Sequence, residues 1–533
     1  MIRKILAATL ALMIVDLIAV LWTGGYKLPG LSWRSEHPAT SAFFLALMLL
    51  GFILLRNPFV SSTDENAYRR AALAVFLACF VVYLSNFRWR GSGDVVAASL
   101  QPFELLRHGH LWLNEYYLGF LNNENISWVY WRNGKVFSMY SSAAGILLLP
   151  FYAISAMGSA VVTDALIHQL QKIGAACMVA ASATLMFSTF RRHVALKWAL
   201  VYTAVYAFGA SSWSTSSQAI WQHGPSQLFL SLAMYSFFRS EDKPGNPAFT
   251  RTQICWLALT GFSLGIASWC RYSNVLIFAI WVLFQAVRKK PFAIGIAGSV
   301  LPLCALALDN VLHSGSPFRT GYQPKAIVFN WFSIDGILGL LFSPPRGILI
   351  FSPIMLFALA GLWRAIRLRR PGPWGFLAVS FVATVVFYGS YEMWSGGYCF
   401  GPRYFADITP LWCLWLIPLT PMIASSARWA RLFALTLGLS IATHAVGAYF
   451  TWRWEKLYGL SDWSWGRNPW GFLAGQILTP GAQSGTDGIA ALTILLALLL
   501  VAWRWGALLA SPAKTKTILK DRFIRRRKAK RLE

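Results

Sequence analysis

The chain has 533 residues, of which 56% are hydrophobic and only 13% are charged, and its mean hydropathy is +0.51. A soluble protein of this length carries roughly twice that charged fraction, so the composition excludes a soluble globular class. The formal net charge of +27 suggests nucleic-acid binding or a membrane surface. The distribution of the basic residues along the chain decides between the two.

Apolar runs long enough to cross a bilayer recur along the whole sequence, which is the signal of transmembrane helices. We predict an all-α, polytopic transmembrane protein with about fourteen spans. The spans are predicted at 5–23, 40–55, 71–87, 168–190, 195–211, 223–238, 254–270, 273–288, 291–309, 346–363, 373–391, 406–424, 430–450 and 487–506.

Basic residues concentrate in alternate connections between these spans and in the C-terminal "KDRFIRRRKAKR". If the N-terminus is cytoplasmic, roughly two thirds of the Lys and Arg residues lie on the cytoplasmic side, as the positive-inside rule requires. We therefore predict an inner (plasma) membrane protein with both termini cytoplasmic and no nucleic-acid partner. The basic tail is expected to contact anionic lipid headgroups.

The stretch "YSSAAGILLLPFYAISAMGSAVV" at 140–162 is apolar enough to be another span. If it crossed the membrane, every later basic connection would move to the outer side and the charge asymmetry would collapse. We predict a re-entrant or interfacial helix on the outer side. The long, irregular connections, at 88–167, 211–222, 310–345, 391–405 and 451–486, then all face outward, and function is expected there.

The first outer segment contains "RWRGSGDVVAASLQPFELLRHGH". Asp94 precedes a helix-like stretch that carries Glu104. An acid at a helix end on the membrane surface is well placed to take a proton from a substrate hydroxyl. An Asp before an apolar helix is equally well explained as an N-cap, so both interpretations stay open on spacing alone.

The next outer connection, "SSWSTSSQAIWQHGPSQ", gathers Trp221, Gln222 and His223 at the mouth of two helices. Aromatic rings with amides and hydroxyls suit sugar binding, because the faces of a pyranose are apolar and its rim forms hydrogen bonds. An interfacial aromatic belt explains the Trp residues equally simply. A single histidine such as His223 is more often structural than catalytic.

Two arginines lie at outer helix ends, Arg271 in "SWCRYSN" and Arg346 in "SPPRG". Backbone N–H groups at a helix N-terminus and a guanidinium together form an anion pocket, for which phosphate is the obvious ligand. The alternative for each arginine is snorkelling to the membrane interface.

A third outer connection, "YEMWSGGYCFGPRYFAD" at 391–407, combines glycines, a proline, aromatics and charges. Glycine allows tight backbone turns at membrane depth, which are tolerated where they line a cavity. We predict a wall of a binding site here, with Trp394 and Tyr398 facing a sugar or isoprenoid and Arg403 facing a phosphate. Glu392 and Asp407 would orient that arginine. A glycine-rich helix connection with belt aromatics is the alternative.

These motifs together resemble the multi-spanning glycosyltransferases of the C type (GT-C), which include protein O-mannosyltransferases and aminoarabinose transferases. The resemblance covers about 70–425. The segments that carry it are "GDVVAASLQPFELLRHG", "YSSAAGILLLPFYA", "QAIWQHGPSQLFL", "ASWCRYSNVLI", "GSPFRTGY", "LLFSPPRGILIFSP" and "WSGGYCFGPRYFADITP".

The resemblance implies a membrane enzyme that takes a sugar from a polyprenyl-phosphate donor on the non-cytoplasmic (periplasmic) face. An acid of the first outer loop is the general base in that family, and Asp94 occupies its place, although the family often doubles the acid. Arg271, Arg346 and Arg403 would bind the donor phosphate, and His223 with the Trp residues would line the sugar site. Direct displacement assisted by one base predicts inversion at the anomeric carbon.

No cofactor is predicted; a divalent metal stays open, because some relatives use one, but no cluster with ligand spacing indicates it. The expected partners are the lipid-linked donor, membrane lipids and a glycan, lipid or protein acceptor. Two other classes remain as alternatives: a flippase or transporter of lipid-linked or soluble substrates, and an O-antigen-type polymerase or ligase.

We divide the chain into four predicted parts. They are an N-terminal transmembrane hairpin (1–70), a GT-C-like catalytic core (71–425), C-terminal transmembrane helices with a Trp-rich outer loop (426–510) and a basic cytoplasmic tail (511–533).

Overall fold

The computed structural model is built almost entirely from helices. It describes residues 2–27, 34–54, 65–88, 93–116, 128–241, 250–322, 329, 332–368, 372–397, 399–450, 462–478, 485–506 and 509. The helices are α1 (Ile2–Thr23), α2 (Pro38–Leu54), α3 (Glu65–Leu84), α4 (Gly93–His108), α5 (Asn114–Tyr116), α6 (Ala143–Met157), α7 (Asp164–His193), α8 (Leu196–Phe208), α9 (His223–Ser240), α10 (Arg251–Cys270), α11 (Asn274–Val287), α12 (Phe292–Ser314), α13 (Ile334–Phe342), α14 (Ile348–Phe351), α15 (Met355–Arg367), α16 (Gly372–Gly389), α17 (Thr409–Cys413), α18 (Leu416–Ser425), α19 (Ala427–Tyr449), α20 (Pro469–Leu478) and α21 (Gly485–Gly506).

The predicted all-α class is confirmed, and every predicted span coincides with one or two of these helices. Two predicted spans are interrupted. The run 346–363 divides into α14 and α15 at Ser352–Ile354, where Pro353 has no backbone N–H to continue the helix. The run 406–424 divides into α17 and α18.

Among the described residues, six helices are long and apolar enough to cross a membrane, namely α3, α7, α10, α12, α16 and α19. Shorter apolar helices include α2, α6, α8 and α11. The protein is therefore polytopic, whereas the count of fourteen spans stays a prediction. The stretch predicted to be re-entrant forms α6, and its position relative to the bilayer also stays a prediction.

Glycines on α10 allow it to pack against α12 at very short range. A Cβ added at Gly261 would lie 1.7 Å from the carbonyl oxygen of Gly295, and one at Gly265 would lie 2.6 Å from the Pro302 ring. Gly261 and Gly265 are separated by three residues, the spacing that brings helix backbones together in membranes. This contact fixes the end of α10, where Arg271 follows.

The segment between α3 and α7, which is predicted to face outward, docks onto the ends of these helices. It contains the hairpin of β3 (Val129–Arg132) and β4 (Lys135–Ser138), while β1 (Tyr26–Lys27) and β2 (Arg34–Ser35) form a second short pair. In the hairpin, Tyr130 donates to the His313 carbonyl over 2.8 Å. Arg132 donates to the Leu312 carbonyl over 3.2 Å, a cation at the C-terminal end of α12.

Arg107 anchors α4 to the following helix. It donates to the carbonyl of Ser155 in α6 and to that of Ala160 beyond it, over 3.2 and 2.9 Å. At the other end of α4, Asp94 contacts Arg403 in the loop before α17, and Arg403 in turn contacts His223 at the N-terminus of α9.

Candidate functional site

An acid and an arginine from distant parts of the chain form the most solvent-exposed pair of the site. Asp94 lies in the first turn of α4, and Arg403 begins the 3-10 turn Arg403–Phe405. Arg403 Nη2 donates to Asp94 Oδ2 over 2.5 Å, and the two side chains are 14% and 12% exposed. The Asp94 carboxylate therefore contacts a guanidinium in a place nearly closed to solvent.

His223 and Asp407 extend this pair inward. Arg403 Nε donates to His223 Nε2 over 3.2 Å, and His223 Nδ1 lies 3.0 Å from Asp407 Oδ2. Because a carboxylate accepts, Nδ1 carries the proton and Nε2 is the acceptor in this arrangement. His223 is thus bound as a neutral imidazole between an acid and an arginine.

Arg271, which caps the C-terminus of α10, completes the group. Its Nε lies 2.9 Å from Asp407 Oδ2, and its Nη1 lies 3.2 Å from His223 Nε2. Its Nη2 donates to the Tyr388 hydroxyl. We call Asp94, His223, Arg271, Arg403 and Asp407 the charged cluster.

Aromatic rings surround the charged cluster. The Trp221 ring lies 4.6 Å from the Arg403 guanidinium, and its buried Nε1 has no hydrogen-bond partner among the described residues. Tyr388 and Tyr404 stack with their ring centroids 4.2 Å apart. Arg271 lies within 6 Å of both rings, 5.6 Å from Tyr388 and 5.9 Å from Tyr404. These rings exclude water and favour cations.

The charges of the cluster are mutually compensated. Burial disfavours the charged guanidinium of Arg403, but the neighbouring Asp94 outweighs this and raises the pKa of Arg403 above its ordinary value. Burial, together with Asp94, raises the pKa of Tyr140 well above its usual range. The Arg403 guanidinium therefore stays charged beside Asp94, and the Tyr140 hydroxyl stays protonated.

Arg346 holds the loop that leads to Arg403. Its Nη2 donates to the Gly397 carbonyl over 2.6 Å, and its Nη1 donates to the Cys399 carbonyl. Arg346 is 5% exposed. Its described contacts are those of a residue that positions a loop, and its predicted phosphate contact stays a prediction.

The structure thus brings six of the predicted site residues together: Asp94, Trp221, His223, Arg271, Arg403 and Asp407. Gln222 is half-buried next to them in sequence. Trp394 is buried elsewhere, with its ring 6.5 Å from that of Trp463, and Glu392 is exposed. Tyr398 lies outside the described residues. The roles predicted for all of these side chains remain predictions.

Glu104 lies ten positions beyond Asp94, near the other end of α4. Its carboxylate is buried, and His110 Nδ1 lies 3.6 Å from Oε2. Burial and the nearby Glu115 raise the pKa of Glu104 to about 7. Of the two predicted site acids Asp94 and Glu104, Asp94 is the one in contact with Arg403.

Several residues near the site were not identified from sequence. Tyr404 and Tyr322 lie inside the motifs that resemble those of the GT-C glycosyltransferases, but the sequence predicts no role for them. Tyr388 lies at the end of an apolar run, and nothing in the sequence distinguishes it as a site residue. Gln227 on α9 donates to the Ala406 carbonyl over 2.5 Å and so fixes the backbone beside Asp407. Its polar side chain within the predicted span 223–238 was the available signal.

A second buried polar network lies near the C-terminal end of α12. Asp309 Oδ2 accepts hydrogen bonds from Ser141 Oγ, the Ser142 backbone N–H and Trp269 Nε1, over 3.0, 3.0 and 3.1 Å. Asp309 Oδ1 lies 3.4 Å from His313 Nδ1. This network joins the segment before α6 to α10 and α12, and its role is therefore structural. No group of three or more His, Cys, Asp or Glu side chains among the described residues could hold a metal ion.

Comparison with known proteins gives one family match. The model of the dolichyl-phosphate-mannose-protein mannosyltransferases matches residues 170–306, from α7 into α12. This segment, about a quarter of the chain, contains His223 and Arg271. The predicted resemblance to the GT-C glycosyltransferases is confirmed over this segment.

A search of curated protein sequences found no match. Among solved structures, the chain is similar to ArnT from Cupriavidus metallidurans bound to undecaprenyl phosphate, with 13% identity and a TM-score of 0.48, over 82% of this chain and 77% of ArnT. It is also similar to the oligosaccharyltransferase AglB from Archaeoglobus fulgidus in complex with an inhibitory peptide and a dolichol-phosphate. There the identity is 12% and the TM-score 0.44, over 78% of this chain and 59% of AglB.

Proposed function

We propose that the protein is a membrane glycosyltransferase that moves a sugar from a polyprenyl-phosphate donor to a cell-envelope acceptor on the non-cytoplasmic face. The observation that carries the proposal is the charged cluster, in which two carboxylates and two arginines meet around His223 within an aromatic enclosure. The family match over 170–306 supports the same reaction class.

In a polyprenyl-phosphate sugar, the lipid phosphate is the leaving group. The enzyme has to position the acceptor, remove its proton and stabilise the departing phosphate. Asp94 takes the proton of the acceptor hydroxyl, and the acceptor oxygen forms a bond to the anomeric carbon. The bond between that carbon and the phosphate oxygen breaks, and the polyprenyl phosphate leaves with the electron pair. A single displacement inverts the anomeric configuration.

Arg271 and Arg403 stabilise the negative charge that develops on the phosphate. A guanidinium suits this task because its planar N–H groups match two phosphate oxygens. The unpartnered Trp221 Nε1 beside Arg403 offers one more donor, to the phosphate or to a sugar hydroxyl. His223 contacts both arginines, and Asp407 contacts His223 and Arg271, so that these two side chains hold the arginines in position.

Reconstitution tests this function. The purified protein is placed in liposomes with a polyprenyl-phosphate sugar labelled in the sugar, together with an extract of envelope lipids and glycans. We expect the label to leave the lipid donor and to appear in an acceptor fraction. Label that stays on the donor lipid but changes leaflet would contradict transfer and support the transporter alternative. Glycan and lipid profiles of cells with and without the gene would identify the acceptor.

A further inference from the structure

Asp94 and Arg403 are bonded to each other, and the proposed reaction needs each of them for a different partner. Asp94 Oδ2 accepts a charge-assisted hydrogen bond from Arg403 Nη2 over 2.5 Å. This bond engages one of the two carboxylate oxygens, so the oxygen that faces Arg403 is not available to a substrate hydroxyl until the bond breaks. The Arg403 Nη2 donor is engaged by the same bond, so a phosphate that binds to this nitrogen at that position has to displace the carboxylate.

We propose that the donor phosphate and the Asp94 carboxylate compete for Arg403, so that binding of the donor releases the base. This inference rests on the proposed function. A phosphate that binds to Arg403 replaces the carboxylate there, and the same event frees Asp94 Oδ2 for the acceptor hydroxyl. Donor binding then precedes activation of the acceptor, and this oxygen stays blocked while the donor site is empty.

Arg271 and Arg403 differ in their partners, and this difference indicates that Arg403 is the arginine that exchanges a carboxylate for the donor phosphate. Arg271 is held by Asp407, His223 and the Tyr388 hydroxyl, and it caps α10 directly. Those partners are buried, and none of them has a second role in the proposed reaction. Arg271 therefore forms the fixed part of the phosphate site.

Arg403 lies on a connection whose backbone is held by glycine conformations. Gly396, Gly397 and Gly401 have φ values of +77°, +66° and +62°, in the left-handed region that favours glycine. The guanidinium keeps two contacts that do not involve Asp94, the His223 Nε2 bond and the face of Trp221. When the bond to Asp94 breaks, these two contacts therefore still hold Arg403, and its Nη2 group becomes available to a phosphate.

Competition has a measurable consequence for affinity. The apparent dissociation constant of a ligand equals its intrinsic constant divided by the fraction of protein in the competent state. If the open pair is populated at about one part in ten, removal of the Asp94 charge tightens phosphate binding about tenfold. If Asp94 took no part in donor binding, removal of its charge would leave the affinity for the phosphate unchanged.

The experiment measures binding of radiolabelled polyprenyl phosphate, without a sugar, to the full-length protein in detergent. We expect Asp94→Asn to bind it about tenfold more tightly than wild type, and Arg403→Gln to bind it more weakly. Size-exclusion and thermal unfolding profiles establish that each variant is folded. Asp94→Ser provides a second variant without the carboxylate, should the asparagine protein fail to fold.

The double variant Asp94→Asn with Arg403→Gln separates competition from a general charge effect. If Asp94 acts through Arg403, the gain from Asp94→Asn disappears when Arg403 is absent. Unchanged or weaker binding by Asp94→Asn, or a gain that persists in the double variant, would overturn the inference while the proposed function stands. Failure of the wild-type protein to bind polyprenyl phosphate would instead contradict the proposed function, and the inference with it.

Discussion

Asp407 contacts both His223 and Arg271 through the same oxygen, at 3.0 and 2.9 Å, and is 2% exposed. A buried carboxylate between two nitrogen donors is stable because each partner compensates for the water it has lost. Removing one member of such a group leaves the others buried without compensation. Substitution of any residue of the charged cluster is therefore expected to lower the stability of the protein, whether or not that residue touches substrate.

Asp407→Asn leaves the Arg271 guanidinium buried without its counter-charge. We expect this variant to lower the free energy of unfolding by about 3 kcal/mol, as for other broken buried pairs. Thermal unfolding in detergent measures the change. The matched control is Glu65→Gln, whose partner Arg69 is exposed and whose effect should stay within about 0.5 kcal/mol. Equal effects of the two variants would contradict the compensated arrangement.

Glu104 gives a prediction about pH. Its pKa is raised to about 7 in the folded protein, first by burial and then by Glu115, so the folded state retains a proton that the unfolded state loses at lower pH. Stability is therefore expected to fall as the pH rises from about 4.5 to 7. Glu104→Gln should flatten that part of the profile, as measured by the unfolding temperature across this range. A variant profile as steep as that of wild type would rule out this assignment.

At the scale of elements, the contact between α10 and α12 places Arg271. Gly261→Ala puts a Cβ 1.7 Å from the Gly295 carbonyl oxygen, so the two helices have to move apart. We expect a loss of about 1–3 kcal/mol, typical of overpacking, together with weaker polyprenyl-phosphate binding. Gly51→Ala in α2 is the matched control, because nothing lies within 4 Å of its added Cβ. A Gly261 variant as stable as this control would show that the helices do not pack so closely.

The helices were predictable from sequence because long apolar runs have few alternatives in a bilayer. The positions at which helices are interrupted were less predictable. Pro353 interrupts a predicted span, and the five-residue π-helical turn Ser212–Ser216 before α9 has no simple sequence signal. The helix α13 was missed, since its nine residues are too short to register as a span.

The site was predictable only in part, and for a physical reason. Asp94, His223, Arg271, Arg403 and Asp407 stood out as polar residues at the ends of apolar runs, where charge is costly unless it has a task. Their pairing was not predictable, because it depends on how helices distant in sequence pack. Thus Arg346, grouped with the other arginines by sequence, holds backbone carbonyls at Gly397 and Cys399.

At the scale of the whole molecule, the charge asymmetry predicts which face holds the site. Phe318 lies in a connection predicted to face outward and is 94% exposed. In a protein whose seven cysteines have been replaced, Phe318→Cys should react with an impermeant thiol reagent added to the outer side of intact cells. Arg367→Cys, at the end of α15 on the predicted cytoplasmic face, should react only after lysis. The reverse pattern would overturn the orientation.

The rate of sugar transfer by the Asp94→Asn protein, with the lipid donor at saturation, tests the central claim most directly. General base catalysis contributes about 100- to 10,000-fold to such rates. We therefore predict a fall of at least about 100-fold, with polyprenyl phosphate still bound and Arg403 still in place. Transfer at a rate near that of wild type would contradict the assignment of Asp94 as the base, and with it the account of the charged cluster as a catalytic site.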